Sequence, residues 1–249
     1  MRPEINAWRK EELQLPPAGW WRGWRRSHTD GVPILFGISP AILPFPQGWP
    51  ATHSLTGFWL AEPDLAWEPS SPLQNFLQHD QPVVFLGFGS HIVSAALIRD
   101  VVIPAARRCR LRVVMNRVAG LDFVPGQDTD ILAVDFVPYR WIFERVALVV
   151  HHCGVGTVAE ALRAAVPMVL VPFSGEQRFW AERLWDAGVA GIPLNPQALT
   201  VETLATAFEQ ALVANPKVRQ KQQELAFHLR QEEGVTRAVT IMEQHFAAC

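Results

Sequence analysis

Apolar and polar positions change their pattern sharply near residue 80. From Pro82 onward, short β-rich apolar runs alternate with stretches whose apolar residues recur at helical spacing. The runs are PVVFLGFG, CRLRVVM, DILAVDFV, ALVVHH and PMVLVPF. Strands that alternate with helices need crossover connections, which produce a parallel sheet covered by helices on both faces. The pattern therefore predicts a doubly wound α/β domain over residues 80–215.

The two ends of the chain have other patterns. Past residue 215, KVRQKQQELAFHLRQEE and VTRAVTIMEQHF keep a helical spacing, and Gly234 between them is expected to break the helix. Before residue 80 lie seven of the ten tryptophans and many prolines, with strand-like runs only at 32–38 and 55–59. We expect amphipathic covering helices at the end and an irregular region without a core of its own at the start.

The composition is that of an ordinary globular protein. With 249 residues and 49% hydrophobic side chains, the chain can fill a substantial core. A formal net charge of -2 lacks the basic footprint of nucleic-acid recognition, so nucleic acid is not an expected partner. Three scattered cysteines without a CxxC pair predict neither a disulfide framework nor a zinc site. The polar start and the lack of a long apolar run predict a cytoplasmic protein that does not span a membrane.

Two glycine-containing loops follow predicted strands. One is FLGFGS, which ends at Ser90, and the other is VVHHCGVGT, which ends at Thr157 before a predicted helix from Val158 to Ala165. Ligands of open parallel sheets bind beyond the carboxyl ends of the strands, near the switch point. Glycines in the second loop would let backbone N–H groups approach an anion, and the helix dipole favours negative charge. This loop therefore predicts a diphosphate cradle.

Polar side chains near the second loop extend this prediction. His152 could donate to a phosphate oxygen, and Glu160 could accept both hydroxyls of a ribose. Glu176 and Gln177 could bind sugar hydroxyls at the same sheet edge. The residues alone leave other interpretations open, because glycines are often purely conformational, Glu176 suits a helix start, and adjacent histidines suit a structural role. No third ligand at metal spacing accompanies the histidines, and neither loop has a Walker A or complete dinucleotide pattern.

The order of these pieces resembles one enzyme family. The run VDFVPYRWIFERVALVVHHCGVGTVAEALRAAVPMVLVPFSGEQRFWAERLWDAGVAGIPL resembles the donor-binding signature of family 1 UDP-glycosyltransferases of the GT-B fold, in particular the sterol glucosyltransferases. GFGS at 87–90 resembles the family's first donor-domain loop, and EEGVTRAV at 232–239 resembles its closing segment. The resemblance implies an acceptor-domain remnant with a linker at residues 1–62 and a donor-binding domain at residues 63–249.

The resemblance also implies a site for a UDP-sugar such as UDP-glucose. The segment Phe136 to Tyr139 would frame the uracil, Glu160 would hold the ribose, and Glu176 with Gln177 would bind the sugar. The implied diphosphate ligands are Ser90, His152, Gly154, Gly156 and Thr157. The family works without a metal ion or other cofactor and stabilises the leaving nucleotide electrostatically.

Four positions depart from the family pattern. Tyr139 stands where the sterol subfamily has histidine, Cys153 where it has glycine, Glu176 where the family has aspartate, and Ala165 where it has the glycine of an RAGVP turn. We expect these departures to affect the uracil contact, the sugar preference and the backbone conformation after the helix.

No catalytic residue is predicted in this chain. Family members carry a catalytic histidine, the base for the acceptor hydroxyl, near the start of the acceptor domain, and none of the eight histidines, including His28 and His53, matches it. We expect a donor-binding half that transfers a hexose to a lipid or sterol-like hydroxyl together with a separate N-terminal acceptor-domain chain. A catalytically silent nucleotide-sugar-binding fragment and a scaffold protein stay open as alternatives.

One segment suggests contact with a lipid surface. Trp20, Trp21 and Trp24 interleave with three arginines at positions 22, 25 and 26. Tryptophan with arginine suits a membrane interface, so the segment predicts peripheral membrane contact, with packing against another domain as the alternative.

Overall fold

The computed structural model describes residues 2–17, 32–62, 66–88, 94–121, 123, 128–213 and 215–247. Ser90 and the tryptophan-arginine segment at 20–26 lie outside the described residues. The chain forms two compact units, one of residues 1–40, 44–59 and 233–249 and the other of residues 41–43 and 60–232. The division between residues 62 and 63 stays a prediction.

The helices and strands have the following bounds in the described residues. The strands are β1 (Ile34–Phe36), β2 (His53–Leu55), β3 (Val83–Gly87), β4 (Arg112–Asn116), β5 (Ile131–Val134), β6 (Leu148–His151) and β7 (Met168–Leu170). The helices are α1 (Arg2–Glu11), α2 (Ser71–Leu77), α3 (Ala95–Leu97), α4 (Ile103–Arg108), α5 (Tyr139–Ile142), α6 (Val155–Ala164), α7 (Gly175–Asp186), α8 (Val201–Leu212), α9 (Pro216–Arg230) and α10 (Gly234–Ala247). A π-helical stretch, Ile98–Val102, joins α3 to α4, and a 3₁₀ turn covers Pro196–Ala198.

The larger unit contains a five-stranded parallel sheet with the strand order β5-β4-β3-β6-β7. Its pairings are all parallel. The five apolar runs of the sequence are these five strands, so the predicted parallel α/β sheet is confirmed. The chain moves outward from β3 to β5 and then returns to β6, which makes the gap between β3 and β6 the topological switch point.

Side chains on both faces of the sheet are buried. All five residues of β3 are buried, as are all four of β6, which explains why both strands are continuous apolar runs in the sequence. Val84 and Leu86 pack on one face in a cluster with residues of α4 and α8. Phe85 points to the opposite face, where its ring lies 5.7 Å from the ring of Phe143. The helices therefore cover the two faces separately, as in a doubly wound domain.

Helix α6 starts and ends slightly earlier than predicted. It begins at Val155 rather than Val158, after Gly154 in an extended conformation, and it ends at Ala164. Ala165 follows with φ 53° and ψ 30°, and its N–H bonds the carbonyl oxygen of Leu162 at 3.1 Å. The left-handed turn of the family's glycine is therefore kept by an alanine, at a steric cost.

The smaller unit combines α1, the parallel pair β1 and β2, and α10. The first strand falls inside the predicted run 32–38, but the predicted run 55–59 is wrong for most of its length, because β2 ends at Leu55 and Gly57 has φ 100°. Gly234 does not separate the last two helices as expected, since it is the first residue of α10. A Cβ on Gly234 would lie 2.4 Å from the carbonyl oxygen of Phe58, so close backbone packing requires glycine there.

In the part of the chain that the structure describes, none of the helices has the length and apolar content needed to cross a membrane.

Candidate functional site: the glycine loop at the switch point

The ends of β3 and β6 lie side by side at the switch point. Gly87, the last residue of β3, pairs with His151, the last residue of β6. His152 follows directly, and its Nδ1 lies 3.1 Å from the carbonyl oxygen of Gly87. Because a carbonyl oxygen only accepts, this ring nitrogen carries a proton and donates. The hydrogen bond fixes the imidazole of His152 across the two strand ends.

His151 is oriented into the protein rather than toward the loop surface. Its side chain is fully buried, and its Nδ1 accepts a hydrogen bond from the backbone N–H of Cys153 at 3.1 Å. Among the described residues, its Nε2 has no hydrogen-bond partner. Burial, with a smaller repulsion from His152, lowers the pKa of His151 to about 3, so the ring stays neutral. The adjacent histidines therefore have different roles, and His151 supports the backbone of the turn.

Cys153 occupies a conformation that favours glycine. Its φ is 66°, in the left-handed region, which explains the glycine of the subfamily at this position. Its side chain is fully buried, and burial raises the pKa of its thiol to about 12. The thiol is therefore not a nucleophile at neutral pH. Cys153 shapes the turn and fills space beneath it.

Gly154 and Gly156 have different surroundings. A Cβ on Gly154 would lie 2.5 Å from Nε2 of His152, whereas a Cβ on Gly156 would meet no heavy atom within 4 Å. Gly154 is therefore required for the close approach of the imidazole, and Gly156 keeps the first turn of α6 open. Backbone N–H groups and the positive end of the dipole at this helix start favour an anion.

The two aromatic residues of the predicted uracil-binding segment, Phe136 and Tyr139, have different environments. Phe136 is 66% exposed, at the carboxyl side of β5. Tyr139 instead stacks on Phe143, with ring centroids 4.9 Å apart and an interplanar angle of 13°. Burial raises the pKa of the Tyr139 phenol above its ordinary value. A hydrogen bond between its hydroxyl and the side chain of Thr157 lowers the pKa by a smaller amount. Tyr139 and Thr157 thus link α5 to α6 through side chains that turn inward.

Glu160 lies in the second turn of α6, in a charged cleft of about 490 Å³. The cleft is lined by Arg140, Glu144, Glu160, Arg163, Ala164 and Arg230. Burial is the main cause that raises the pKa of Glu160. The charges of Arg163 and Arg140 lower this pKa, and the charge of Glu144 raises it. A partly buried carboxylate with a raised pKa in a cleft is typical of a ligand-binding group.

Arg163 and Arg230 hold α6 and α9 together around this cleft. Nε of Arg230 donates to the carbonyl oxygen of Arg163 at 2.8 Å, and Arg163 donates to the carbonyl oxygen of Leu229 at 3.5 Å. The Arg163 guanidinium is thus engaged with α9, although it stands one helical turn from Glu160.

Glu176 and Gln177 begin α7 in different environments. Glu176 is exposed in the first turn, whereas Gln177 is 5% exposed. The carboxamide oxygen Oε1 of Gln177 accepts from the backbone N–H groups of Phe173 at 2.7 Å and Ser174 at 3.2 Å. Gln177 therefore caps the helix start with its oxygen, and a ligand could use only its amide group.

The structure places most of the predicted donor residues around one end of the sheet. Six of them belong to the loop after β6 and to α5 and α6, namely Tyr139, His152, Gly154, Gly156, Thr157 and Glu160. Sequence reasoning missed the support from His151 and the arginine lining of the cleft. The spacing of three residues between Glu160 and Arg163 on one helix could have placed Arg163 in the cleft. Arg230 comes from another helix, so only the tertiary structure shows that it lines the same cleft. Among the described residues, no group of three or more histidine, cysteine and acidic side chains could hold a metal ion.

The five-stranded parallel sheet with helices on both faces matches the C-terminal domain of GT-B glycosyltransferases, which is the class of protein to which this fold belongs. Solved structures agree with the fold. The spinosyn forosaminyltransferase SpnP matches with a TM-score of 0.69 and 18% identity, over 98% of this chain and 65% of that one. The glycotransferase of kitacinnamycin matches with a TM-score of 0.66 and 19% identity, over 98% of this chain and 68% of that one.

The chain belongs to the family described as erythromycin biosynthesis protein CIII-like, C-terminal domain, whose model matches residues 111–236, just over half of its length. The O-mycaminosyltylonolide 6-deoxyallosyltransferase of Streptomyces fradiae is 35% identical over 98% of this chain and 56% of that protein. The sterol 3-beta-glucosyltransferase of Candida albicans is 32% identical over 95% of this chain and 16% of that protein. The corresponding enzyme UGT80A2 of Arabidopsis thaliana is 30% identical over 98% of this chain and 38% of that protein. The chain thus spans about half of the length of the Streptomyces enzyme and less than half of the length of the two sterol glucosyltransferases.

Proposed function

We propose that this chain supplies the donor half of an inverting, metal-independent glycosyltransferase, which binds a UDP-sugar and transfers its hexose, with glucose as the first choice. The observation that carries the proposal is the loop after β6, where His152 is fixed against Gly87 beside the open start of α6. N–H groups, a helix dipole and an imidazole converge there, as the binding of a diphosphate requires.

The remaining donor groups follow from their positions around this loop. Phe136 offers an exposed ring for a base, and Glu160 offers a partly buried carboxylate for a ribose diol. Glu176 and the amide group of Gln177 would bind the sugar. The inward position of Tyr139 makes Phe136 the main base contact in this proposal.

We infer the acceptor class from the sterol glucosyltransferases among the relatives. A lipid or sterol-like hydroxyl is the proposed acceptor, and its deprotonation needs a positioned base. No residue of this chain is assigned that role, so transfer is proposed to depend on an acceptor-binding domain, which could be supplied by a separate chain. Peripheral contact with a membrane through the tryptophan-arginine segment, in the cytoplasm, would bring such a complex to its acceptor.

The test is a calorimetric titration of the purified chain with UDP-glucose and with UDP, in buffer containing EDTA. We expect both to bind, and the double variant Glu160→Ala, His152→Ala to lose binding. Glu209→Ala is a matched control, because Glu209 is exposed on α8, which covers the opposite face of the sheet from α5. Its affinity should equal that of the parent chain.

Three outcomes would contradict the proposal in whole or in part. A folded parent chain that binds neither ligand would favour the scaffold alternative. Binding that survives in the double variant would place the donor somewhere other than the loop after β6. Binding that needs a divalent cation would contradict the metal-independent mechanism alone.

A further inference from the structure

A cavity of about 540 Å³ lies beside β7, the edge strand of the parallel sheet. Its walls come from β7, α8, α9 and the segment 189–194. This segment passes the outer edge of β7, where the N–H of Leu194 donates to the carbonyl oxygen of Leu170 at 2.8 Å. The described residues that line the cavity include none of the predicted donor ligands and none of the residues of the charged cleft. The cavity is therefore separate from the site at the switch point.

The walls of this cavity are mainly aliphatic. Met168 and Val169 contribute from β7, Val218 contributes from α9, and Val189 contributes from the segment that passes the edge. Ile192 also lines the cavity, and it is 71% exposed. A ligand that covers Ile192 and fills the space gains the free energy of apolar burial. The volume and the aliphatic lining are typical of sites that bind small organic molecules.

Gln222 brings a buried polar group to the same cavity. It projects from α9, lines the cavity and is 3% exposed. Its Nε2 donates to the carbonyl oxygen of Val189 at 2.7 Å, and a carbonyl oxygen can only accept, so this bond fixes the orientation of the carboxamide. Among the described residues, no hydrogen bond joins a donor to its Oε1. A buried acceptor of this kind is stabilised by a ligand that carries a hydrogen-bond donor.

The charges around the cavity favour a neutral ligand. Glu202 is the only charged side chain among the described residues that line it. An anionic ligand would therefore lose water without gaining a cationic partner. The Glu202 carboxylate is exposed and already lies 3.7 Å from Arg108, so it offers little to a cation. An apolar wall with one buried acceptor and no cation suits an uncharged molecule with a hydroxyl group.

We propose that this cavity binds an uncharged aliphatic alcohol. The hydrocarbon part of the ligand fills the space between β7, α8 and α9, and its hydroxyl donates to Oε1 of Gln222. This site is additional to the donor site and does not depend on nucleotide-sugar binding.

The experiment is a titration of the complete chain with three ligands of equal chain length, followed by the NMR signals of its methyl groups. The ligands are 1-decanol, decyl methyl ether, which lacks the donor, and decanoate, which is charged. We expect saturable shifts of the Ile192 and Val218 methyl signals with decanol. The ether should bind about threefold to tenfold more weakly, because it cannot make the hydrogen bond. Decanoate should bind more weakly than decanol.

A filling variant tests the location of the site. A Cβ on Gly191 would meet no heavy atom within 4 Å, and the φ of this residue is not in the left-handed region. Gly191→Trp should therefore fold normally and occupy the cavity with its ring. We expect this variant to lose decanol binding and to bind UDP-glucose like the parent chain.

A second variant tests the hydrogen bond. Gln222→Met keeps the length of the side chain without its acceptor, so the preference for decanol over the ether should disappear. Gln223→Met is the matched control, because Gln223 is exposed on the same helix, and it should retain the preference. The comparison of alcohol with ether in the parent chain tests the same bond if Gln222→Met does not fold.

The outcomes distinguish the cavity, the ligand class and the donor site. A folded parent chain without saturable decanol binding, or decanol binding that persists in Gly191→Trp, overturns the site. Equal affinities for alcohol and ether in the parent chain, or a preference that persists in Gln222→Met, overturns the role of Gln222. Decanoate binding as tight as that of decanol overturns the neutral ligand class. The proposed function is tested separately, by the titration with UDP-glucose.

Discussion

The imidazole of His152 and the backbone carbonyl of Gly87 join the ends of two strands that are 65 residues apart in sequence, through a hydrogen bond of 3.1 Å. β3 and β6 are neighbours because the chain returns to the middle of the sheet after β5. The position of the ring therefore depends on the packing of the central strands. A rigid sheet positions a ligand group more accurately than a surface loop would.

Glycine at position 154 should be essential for this arrangement. Gly154→Ala places a methyl group 2.5 Å from Nε2 of His152, so the ring must move and its bond to Gly87 must weaken. We expect a loss of about 1–3 kcal/mol in the free energy of unfolding, measured by urea denaturation, and loss of UDP-glucose binding. Gly156→Ala is the control for folding, since its methyl group meets nothing within 4 Å. Equal stability of the two variants would show that the ring is not closely packed.

Glu160→Gln should stabilise the fold and weaken the site. Burial raises the pKa of Glu160, so the folded chain penalises the charged form. The contribution of Glu160 to the free energy of unfolding is most favourable below the ordinary pKa of glutamate and is lost as pH rises through the raised pKa. At neutral pH the folded chain therefore pays for a charged carboxylate, and glutamine removes that penalty. We expect a higher melting temperature at pH 7, no gain in acid, and weaker donor binding. Glu144→Gln removes the same charge from the same cleft and should affect binding less. Unchanged donor affinity in Glu160→Gln would reject the ribose role.

His151→Asn should change the acid stability of the protein. The pKa of His151 is about 3 in the fold, below its ordinary value of 6.5, so its contribution is complete above pH 6.5 and is lost as pH falls toward 3. Asparagine can still accept from the N–H of Cys153 but does not titrate. In that range the variant should lose stability less steeply, by up to about 1.4 kcal/mol per pH unit. Unfolding curves at several pH values would measure this, and identical slopes would count against a buried neutral His151.

Ala165→Gly should stabilise the chain. Ala165 has φ 53°, where a Cβ is strained and glycine is not. We expect a gain of about 1 kcal/mol in the free energy of unfolding. Ala164→Gly is the matched control, because Ala164 is the last residue of α6 and glycine should cost about 0.5–1 kcal/mol there. A destabilised Ala165→Gly variant would contradict the left-handed turn.

Gln177 should show separable effects on folding and on sugar binding. Its Oε1 accepts from two backbone N–H groups, so Gln177→Leu should cost about 1 kcal/mol of folding stability. Gln177→Glu keeps the acceptor and suits the helix dipole, but it lacks the amide donor. We therefore expect it to fold normally, to bind UDP like the parent chain, and to lose the additional affinity for UDP-glucose. If Gln177→Glu binds UDP-glucose as tightly as the parent chain does, Gln177 does not contact the sugar.

Sequence patterns predicted the structure of the parallel sheet more accurately than they predicted the structure of the first sixty residues. Each strand of the parallel sheet is a short apolar run flanked by polar turns, and burial on both faces produces that pattern directly. β2 was placed too late, because Gly57, with φ 100°, interrupts the extended backbone before Phe58 and Trp59. Gly234 was taken for a helix break, although its role is close packing against the backbone of Phe58.

The sequence by itself determined the strand-helix alternation, the glycine loop after β6 and the family to which these belong, because each is encoded in contiguous residues. Tertiary structure alone decided that Tyr139 turns inward to Thr157, that His151 supports Cys153, and that Arg230 reaches the end of α6 beside Glu160. These relations depend on side-chain direction and on contacts between distant segments. Spacing along one chain does not encode them, since burial and hydrogen-bond geometry arise only when the elements pack.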